Sequence, residues 1–206
     1  MSEEGVRTRL RAAILRGDYA PRQRLIETEL AEQHGVSRFV IRNALIRLAG
    51  DGLVELQPNR GARVREIPVD EAIEITEIRE AVEGLVARRA AERVDEAGIA
   101  ELRELGRQME RAVAAGELLR YSDANAALHA RLRDIAGHRT AARIIEQLNA
   151  QLVRHQFQLS LLPGRPAVSL PEHLAVLEAV CSRDPDAAER AMRAHVRSVV
   201  STIATL

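Results

Sequence analysis

Thr28-Glu-Leu-Ala-Glu-Gln-His-Gly-Val-Ser-Arg-Phe-Val-Ile-Arg-Asn-Ala-Leu-Ile-Arg-Leu48 is the stretch around which the chain is organised. It predicts two helices joined by a tight turn at His34-Gly35-Val36, where Gly35 supplies the positive φ such a turn needs. Ser37 is placed to cap the second helix by accepting a free backbone N–H near its start. Val40, Ile41, Ala44, Leu45 and Leu48 recur at three- and four-residue spacing, which makes one face of that helix apolar. Arg38 and Arg42 lie four apart and share a different face. A helix with a buried stripe and two arginines on its exposed N-terminal half can enter a major groove. The same residues are equally compatible with a surface helical hairpin carrying solvated arginines.

The flanks narrow this choice. Val6, Leu10, Ala13 and Ile14 sit at helical spacing within residues 4–16, and Gly17 ends that run. Asp18-Tyr19-Ala20-Pro21 reads as a turn and Arg24-Leu25-Ile26 as a short extended piece. Downstream, Ala49-Gly50-Asp51-Gly52 stops the second helix of the pair. Leu53–Gln57 alternates as a strand, Pro58-Asn59-Arg60-Gly61 forms a hairpin loop, and Ala62–Arg65 is the return strand. Three helices followed by a two-stranded hairpin make a winged helix-turn-helix. At the wing tip, Gly61 lets backbone approach a phosphate or minor groove closely, and Arg60 suits its negative potential. A solvated hairpin loop would use the same two residues.

Pro68 marks a domain boundary between residues 1–68 and 69–206, and no strand signal follows it. Six amphipathic helices are predicted, near 70–93, 96–115, 117–136, 140–161, 170–182 and 185–204, with breaks at Asp95, Gly116, Gly137-His138, Pro163–Pro166 and Asp184-Pro185. The expected fold is therefore mainly α: an N-terminal winged helix-turn-helix and a C-terminal all-helical antiparallel bundle.

Composition bounds the function. The 206 residues carry 30 basic and 30 acidic side chains, so net charge alone favours no polyanionic partner. Every basic residue is arginine, and residues 1–68 hold 12 of them against 9 acidic residues. A mildly basic head on a mildly acidic body fits a DNA-binding module attached to something else. Cys181, the single cysteine, excludes an internal disulfide framework and a multi-cysteine zinc site, and suits a reducing cytoplasm. It sits among apolar residues and is expected in the core. No apolar run approaches the ~20 residues of a membrane span, and no signal-peptide pattern is seen. Aromatic residues make up only 2%, which disfavours recognition of single strands by base stacking.

Six histidines are present. His129 has Asn125 four residues before it, so both project from one helical face. His173 opens the fifth predicted bundle helix and His195 lies near the middle of the sixth. Three imidazoles and an oxygen ligand from different bundle helices can hold a divalent transition metal. Three unrelated hydrogen-bonded histidines are the plainer alternative. His34, His138 and His155 are read as turn or surface residues, and Asp123 lies on nearly the opposite face from His129.

The run Leu25-Ile-Glu-x-Glu-Leu-Ala-Glu-Gln-His-Gly-Val-Ser-Arg-x-Val-Ile-Arg-Asn-Ala-Leu-x-Arg-Leu-x-x-x-Gly-Leu-Val, followed by Asn59-Arg-Gly-Ala-Arg-Val, resembles the GntR family of bacterial regulators. The bundle resembles the FCD effector domain of the FadR subfamily. Its marks are Arg79-x-x-x-Glu83, Asn125-x-x-x-His129, Glu172-His173 and Ala191-Met-Arg-Ala-His195. Six bundle helices look like the shorter VanR-like branch.

This resemblance implies a homodimeric transcription regulator, more often a repressor, that binds double-stranded operator DNA and is not an enzyme. It implies DNA contacts at Thr28, Ser37, Arg38, Arg42, Arg60 and Gly61. It also implies metal ligands at His129, His173 and His195, and an effector contact at Arg79. The fourth ligand of such sites is usually Asp, and here Asn125 stands in its place. A neutral amide oxygen binds a cation more weakly than a carboxylate and leaves the site one charge more positive, which favours an anionic effector. The expectation is a small organic acid bound near zinc, nickel or manganese. A metal-responsive regulator and a metal-dependent hydrolase are the alternatives, and no glutamate is placed by sequence as a partnered general base for the latter.

Overall fold

The structure is a computed structural model that describes residues 2–58 and 60–205. Asn59, expected at the wing turn, lies outside the described residues. The chain divides into two compact units: residues 1–68 with the short segment Asn149–Val153, and residues 69–148 with 154–206.

In the first unit, α1 (Glu3–Arg16) is followed by β1 (Arg24–Leu25), α2 (Glu27–His34), α3 (Arg38–Gly50), β2 (Val54–Gln57) and β3 (Gly61–Val64). The Ser2 hydroxyl accepts the Gly5 N–H at 3.2 Å and starts α1. Gly35, at φ +64°, closes α2, and Ser37 caps α3 by accepting the Val40 N–H at 3.4 Å. The helical spacing of apolar residues becomes the core: Val6, Leu10, Ile41, Ala44 and Leu48 have no exposed surface. Each buried large aliphatic side chain contributes about 1.5–3 kcal/mol.

The wing has one strand more than the hairpin predicted. β1 pairs with β3, setting Arg24 opposite Arg63 and Leu25 opposite Ala62, so the antiparallel order is β1-β3-β2. β2 and β3 pair in the register Val54–Val64 to Gln57–Gly61. Two residues are too few to show alternation, so β1 is decided by burial of Leu25 and Ala62 rather than by local pattern.

After Pro68 come α4 (Val69–Arg93), α5 (Glu96–Ala114), α6 (Leu118–Ala136), α7 (Arg139–Gln151), α8 (Val153–Leu161), α9 (Arg165–Cys181) and α10 (Pro185–Ile203), which make up the second unit apart from Asn149–Val153. α4 packs along α10, α10 against α9, and α5 against α6 and α9. Leu102, Met109, Leu128, Leu132, Val176, Val180 and Met192 form the core, joined by Cys181 as expected. No helix among the described residues is long and apolar enough to cross a membrane.

Seven helices, not six, follow Pro68 among the described residues. The expected helix over 140–161 breaks at Leu152, whose N–H turns back to the Asn149 carbonyl at 3.1 Å. Neither glycine nor proline punctuates the break, so the sequence offers no local signal for it. The break resets the helical phase, and His155 is consequently buried rather than on the surface. α9 starts at Arg165 instead of 170, with Pro166 in its first turn, where the missing N–H costs nothing, and Pro171 inside it.

Candidate nucleic-acid interface and metal centre

α3 presents two faces. Ile41, Ala44, Leu45 and Leu48 are buried on one, while the Arg38 and Arg42 side chains are 63% and 59% exposed on the other. Thr28, Arg38, Arg42, Arg60 and Gly61 line one groove of about 550 Å³ between the start of α2, α3 and the wing. Arg24 completes its basic wall. The groove thus brings together five of the six residues singled out for DNA contact. Ser37 lies outside that lining, and its hydroxyl serves as the cap of α3.

The structure adds a residue that the sequence did not single out. Glu27, only 12% exposed in its side chain, receives Nε and Nη2 of Arg42, both at 2.9 Å. Arg38 approaches the same carboxylate at 3.5 Å. The hydrogen bond from Arg42 is the largest influence holding the Glu27 carboxyl below the usual carboxylate range. A carboxylate fifteen residues upstream of Arg42 leaves no periodic trace in the sequence.

Gly61 also acquires a different reason. It sits at φ +81°, and a Cβ there would lie 2.4 Å from the Leu25 carbonyl oxygen. Glycine is therefore required by the pairing of β1 with β3, whatever the wing touches.

In the second unit, His129 of α6, His173 of α9 and His195 of α10 converge, with their candidate ligand nitrogens all within 4.8 Å of one another. The Nε2 atoms of His129 and His173 are 3.4 Å apart, about the spacing of two imidazoles on one tetrahedral ion with bonds of about 2.1 Å. Each imidazole is held from behind at Nδ1. Glu83 lies 3.1 Å from that of His129, Tyr121 3.0 Å from that of His173, and Glu172 2.9 Å from that of His195. An imidazole that donates from Nδ1 to a carboxylate keeps the Nε2 lone pair for a ligand. The Asn125 Oδ1 is buried without a hydrogen-bond partner, one helical turn before His129. The three imidazoles fit a divalent cation by their spacing, and the Asn125 oxygen is an acceptor that no hydrogen bond satisfies.

The electrostatics favour neutral imidazoles at His173 and His195. Burial pushes His173 far below its ordinary value, and His195 and His129 push it further. His195 is also lowered, chiefly by burial. Burial alone would raise the Glu83 carboxyl, but Arg79 and then His129 outweigh it and hold it well below the carboxylate range. Burial raises the Tyr121 hydroxyl to about 12, so it stays protonated.

Residues 2–64 match the model of bacterial regulatory proteins of the gntR family, and residues 74–198 match that of the FCD domain. The chain belongs to the GntR family. It is 32% identical to the HTH-type transcriptional repressor RspR of Escherichia coli strain K12 over 194 residues, covering 94% of this chain and 85% of the relative. A 27% identical relative from Paenarthrobacter nicotinovorans is described as a probable D-xylose utilization operon transcriptional repressor, with 86% of this chain and 78% of that one covered. Among solved structures, E. coli McbR/YncC shares the fold with a TM-score of 0.75 at 22% identity, covering 98% of this chain and 97% of that one. The protein is thus a DNA-binding transcription regulator, built from a GntR winged helix and an FCD helical domain, and its relatives are regulators rather than enzymes.

Within this GntR regulator, Arg79 is ion-paired inside the helical domain. It is buried and donates to Glu83 at 2.7–2.9 Å. Its role in the structure is to neutralise the carboxylate that orients His129. A second arginine, Arg165 at the start of α9, was not foreseen. Its Nη1 donates to the Ser198 hydroxyl at 3.0 Å, while Nη2 is buried without a hydrogen bond and lies 3.6 Å from Glu172. The spacing Tyr121-x-x-x-Asn125-x-x-x-His129 was the available signal for Tyr121, and Glu172 directly precedes His173.

Proposed function

We propose that this protein is a homodimeric repressor whose operator affinity is set by a small carboxylate bound beside a divalent metal in the FCD domain. The observation that carries the reading is the convergence of three imidazoles, each anchored at Nδ1. His129, His173 and His195 would hold the ion through nitrogen, with the Asn125 amide oxygen as fourth ligand. Zinc suits three imidazoles best; nickel and manganese share the preference in part. When bound, the metal supplies a fixed positive charge with room for an anionic oxygen.

The chain's own residues define the rest. Glu83, Tyr121 and Glu172 orient the imidazoles. Arg165 Nη2, buried without a hydrogen bond and 3.6 Å from Glu172, adds positive charge that supports a carboxylate as the effector. Two copies related by a two-fold axis would place two α3 helices on a pseudo-palindromic operator. The effector releases the operator only if it binds more tightly to the dimer state in which the recognition helices miss the half-site spacing.

The test is a thermal-shift screen of the metal-loaded protein against organic and sugar acids, followed by gel shift on operator DNA. A hit that raises the unfolding temperature and releases DNA is the expected result. No metal retained after reconstitution with zinc, nickel or manganese would overturn the metal part of the reading. Neutralisation of Arg79 by Glu83 favours a second reading, in which the ion itself is the signal. Metal that changes operator affinity with no organic acid present would select it.

A further inference from the structure

We propose that Phe39 reads thymine, by packing its ring against a base 5-methyl group in the operator's major groove. The inference rests on α3 being the helix that enters the groove. Phe39 is the second residue of α3 and is 71% exposed, more than any other large apolar side chain of the winged unit. Water would ordinarily drive such a ring inward. Here the helix geometry forbids it: Ile41, Ala44, Leu45 and Leu48 face the core, and the helical repeat sets Phe39 on the opposite side. Ile46, two turns on and 48% exposed, extends the same apolar line.

The surroundings select the occupant. Phe39 directly follows Arg38 and stands one turn before Arg42, and both arginines are drawn onto Glu27 beside the groove. The ring therefore projects from the exposed face at the start of α3, with cationic groups on its flank. An apolar protein surface would have to desolvate those guanidinium groups, whereas a duplex meets them with phosphates. Within the major groove only one base carries an apolar group, the 5-methyl of thymine, and a phenyl ring is a suitable partner for it. Asparagine or glutamine at this place would read adenine through hydrogen bonds; phenylalanine can read only shape and apolar surface.

The test begins with an operator enriched from a random duplex library by the wild-type protein. Each thymine is then replaced singly by deoxyuridine, which removes the methyl and nothing else. One thymine per half-site should weaken wild-type binding by about fourfold when replaced, the value of burying one methyl-sized group. Phe39→Ala should bind both duplexes alike, and enrichment with that variant should lose thymine at that position. The ring is exposed, so the variant should keep the wild-type unfolding temperature. Arg42→Ala is the control. If it leaves specific binding intact, docking of α3 itself fails. If it weakens binding while deoxyuridine has no effect, or has the same effect on wild type and Phe39→Ala, the thymine reading alone is overturned.

Discussion

A carboxylate beneath two arginines has opposed effects on DNA binding. Glu27 repels phosphate, yet it also fixes the guanidinium planes of Arg42 and Arg38 before DNA arrives. Pre-ordering two rotamer-rich side chains lowers the entropy lost on binding. Replacing Glu27 by Gln should therefore tighten non-specific DNA binding and lower the ratio of specific to non-specific affinity by up to about fivefold, the scale of exposed ion pairs. Fluorescence anisotropy on operator and scrambled duplexes would show it; an unchanged ratio would leave Glu27 a bystander. Because the folded carboxyl is held below its ordinary value, the pair's contribution is complete at neutral pH. It is lost only as pH falls below about 4.5 and through the depressed folded value. Arg42→Ala itself should cost about 1–3 kcal/mol of specific binding if its fork reaches a base edge, readable by gel shift. In the FCD domain, Arg79→Met would strand the Glu83 carboxylate in the core. A loss of about 3–5 kcal/mol in denaturant unfolding is expected, because breaking a buried pair exposes the full desolvation cost of the survivor. At this scale the sequence named His129, His173, His195 and Asn125 but not their orienting partners. A motif records a residue type, while the role of Arg79 depends on which neighbour reaches it first.

Helices and strands were legible where local chemistry alone decides them. Ser2, Ser37, Asp95 and Asp184 each cap a helix through a side-chain oxygen, and each stands where the apolar periodicity begins. The extended piece at Arg24-Leu25 was legible, but its pairing with β3 and the break at Leu152 were not, because two residues carry no period and no turn residue marks the break. The wing gives the test at this scale. Gly61→Ala combines a left-handed φ with a 2.4 Å clash against the Leu25 carbonyl. It should destabilise the winged unit by more than about 1 kcal/mol and weaken operator binding. A wild-type unfolding temperature would show that β1 shifts freely and that the pairing with β3 is dispensable.

Across the whole molecule, zero net charge conceals a division of labour between a basic groove in the winged unit and a mildly acidic helical remainder. Operator affinity should fall steeply with salt, since arginines of the groove release counterions from each half-site. A flat salt dependence between 50 and 200 mM, concentrations at which about 6–10 phosphate contacts cost 10³–10⁵ in affinity, would exclude that surface. Removing metal with a chelator should lower the unfolding temperature, with about 2.7 kcal/mol at stake when free metal stands at a hundred times its dissociation constant. An unchanged unfolding curve would leave the three imidazoles as a hydrogen-bonded core cluster.

Residues 28–48 announced their helices, their turn and their arginines because caps, turn glycines and apolar periodicity act within a few residues of chain. Family membership was readable for the same reason, since the matched motifs are contiguous. Distances between residues far apart in the chain are not written in any local pattern. The tether from Glu27 to Arg42, the neutralisation of Arg79 by Glu83 and the buried Nη2 of Arg165 all come from packing. Packing sets which charges lose water, which find partners and which remain to meet a ligand.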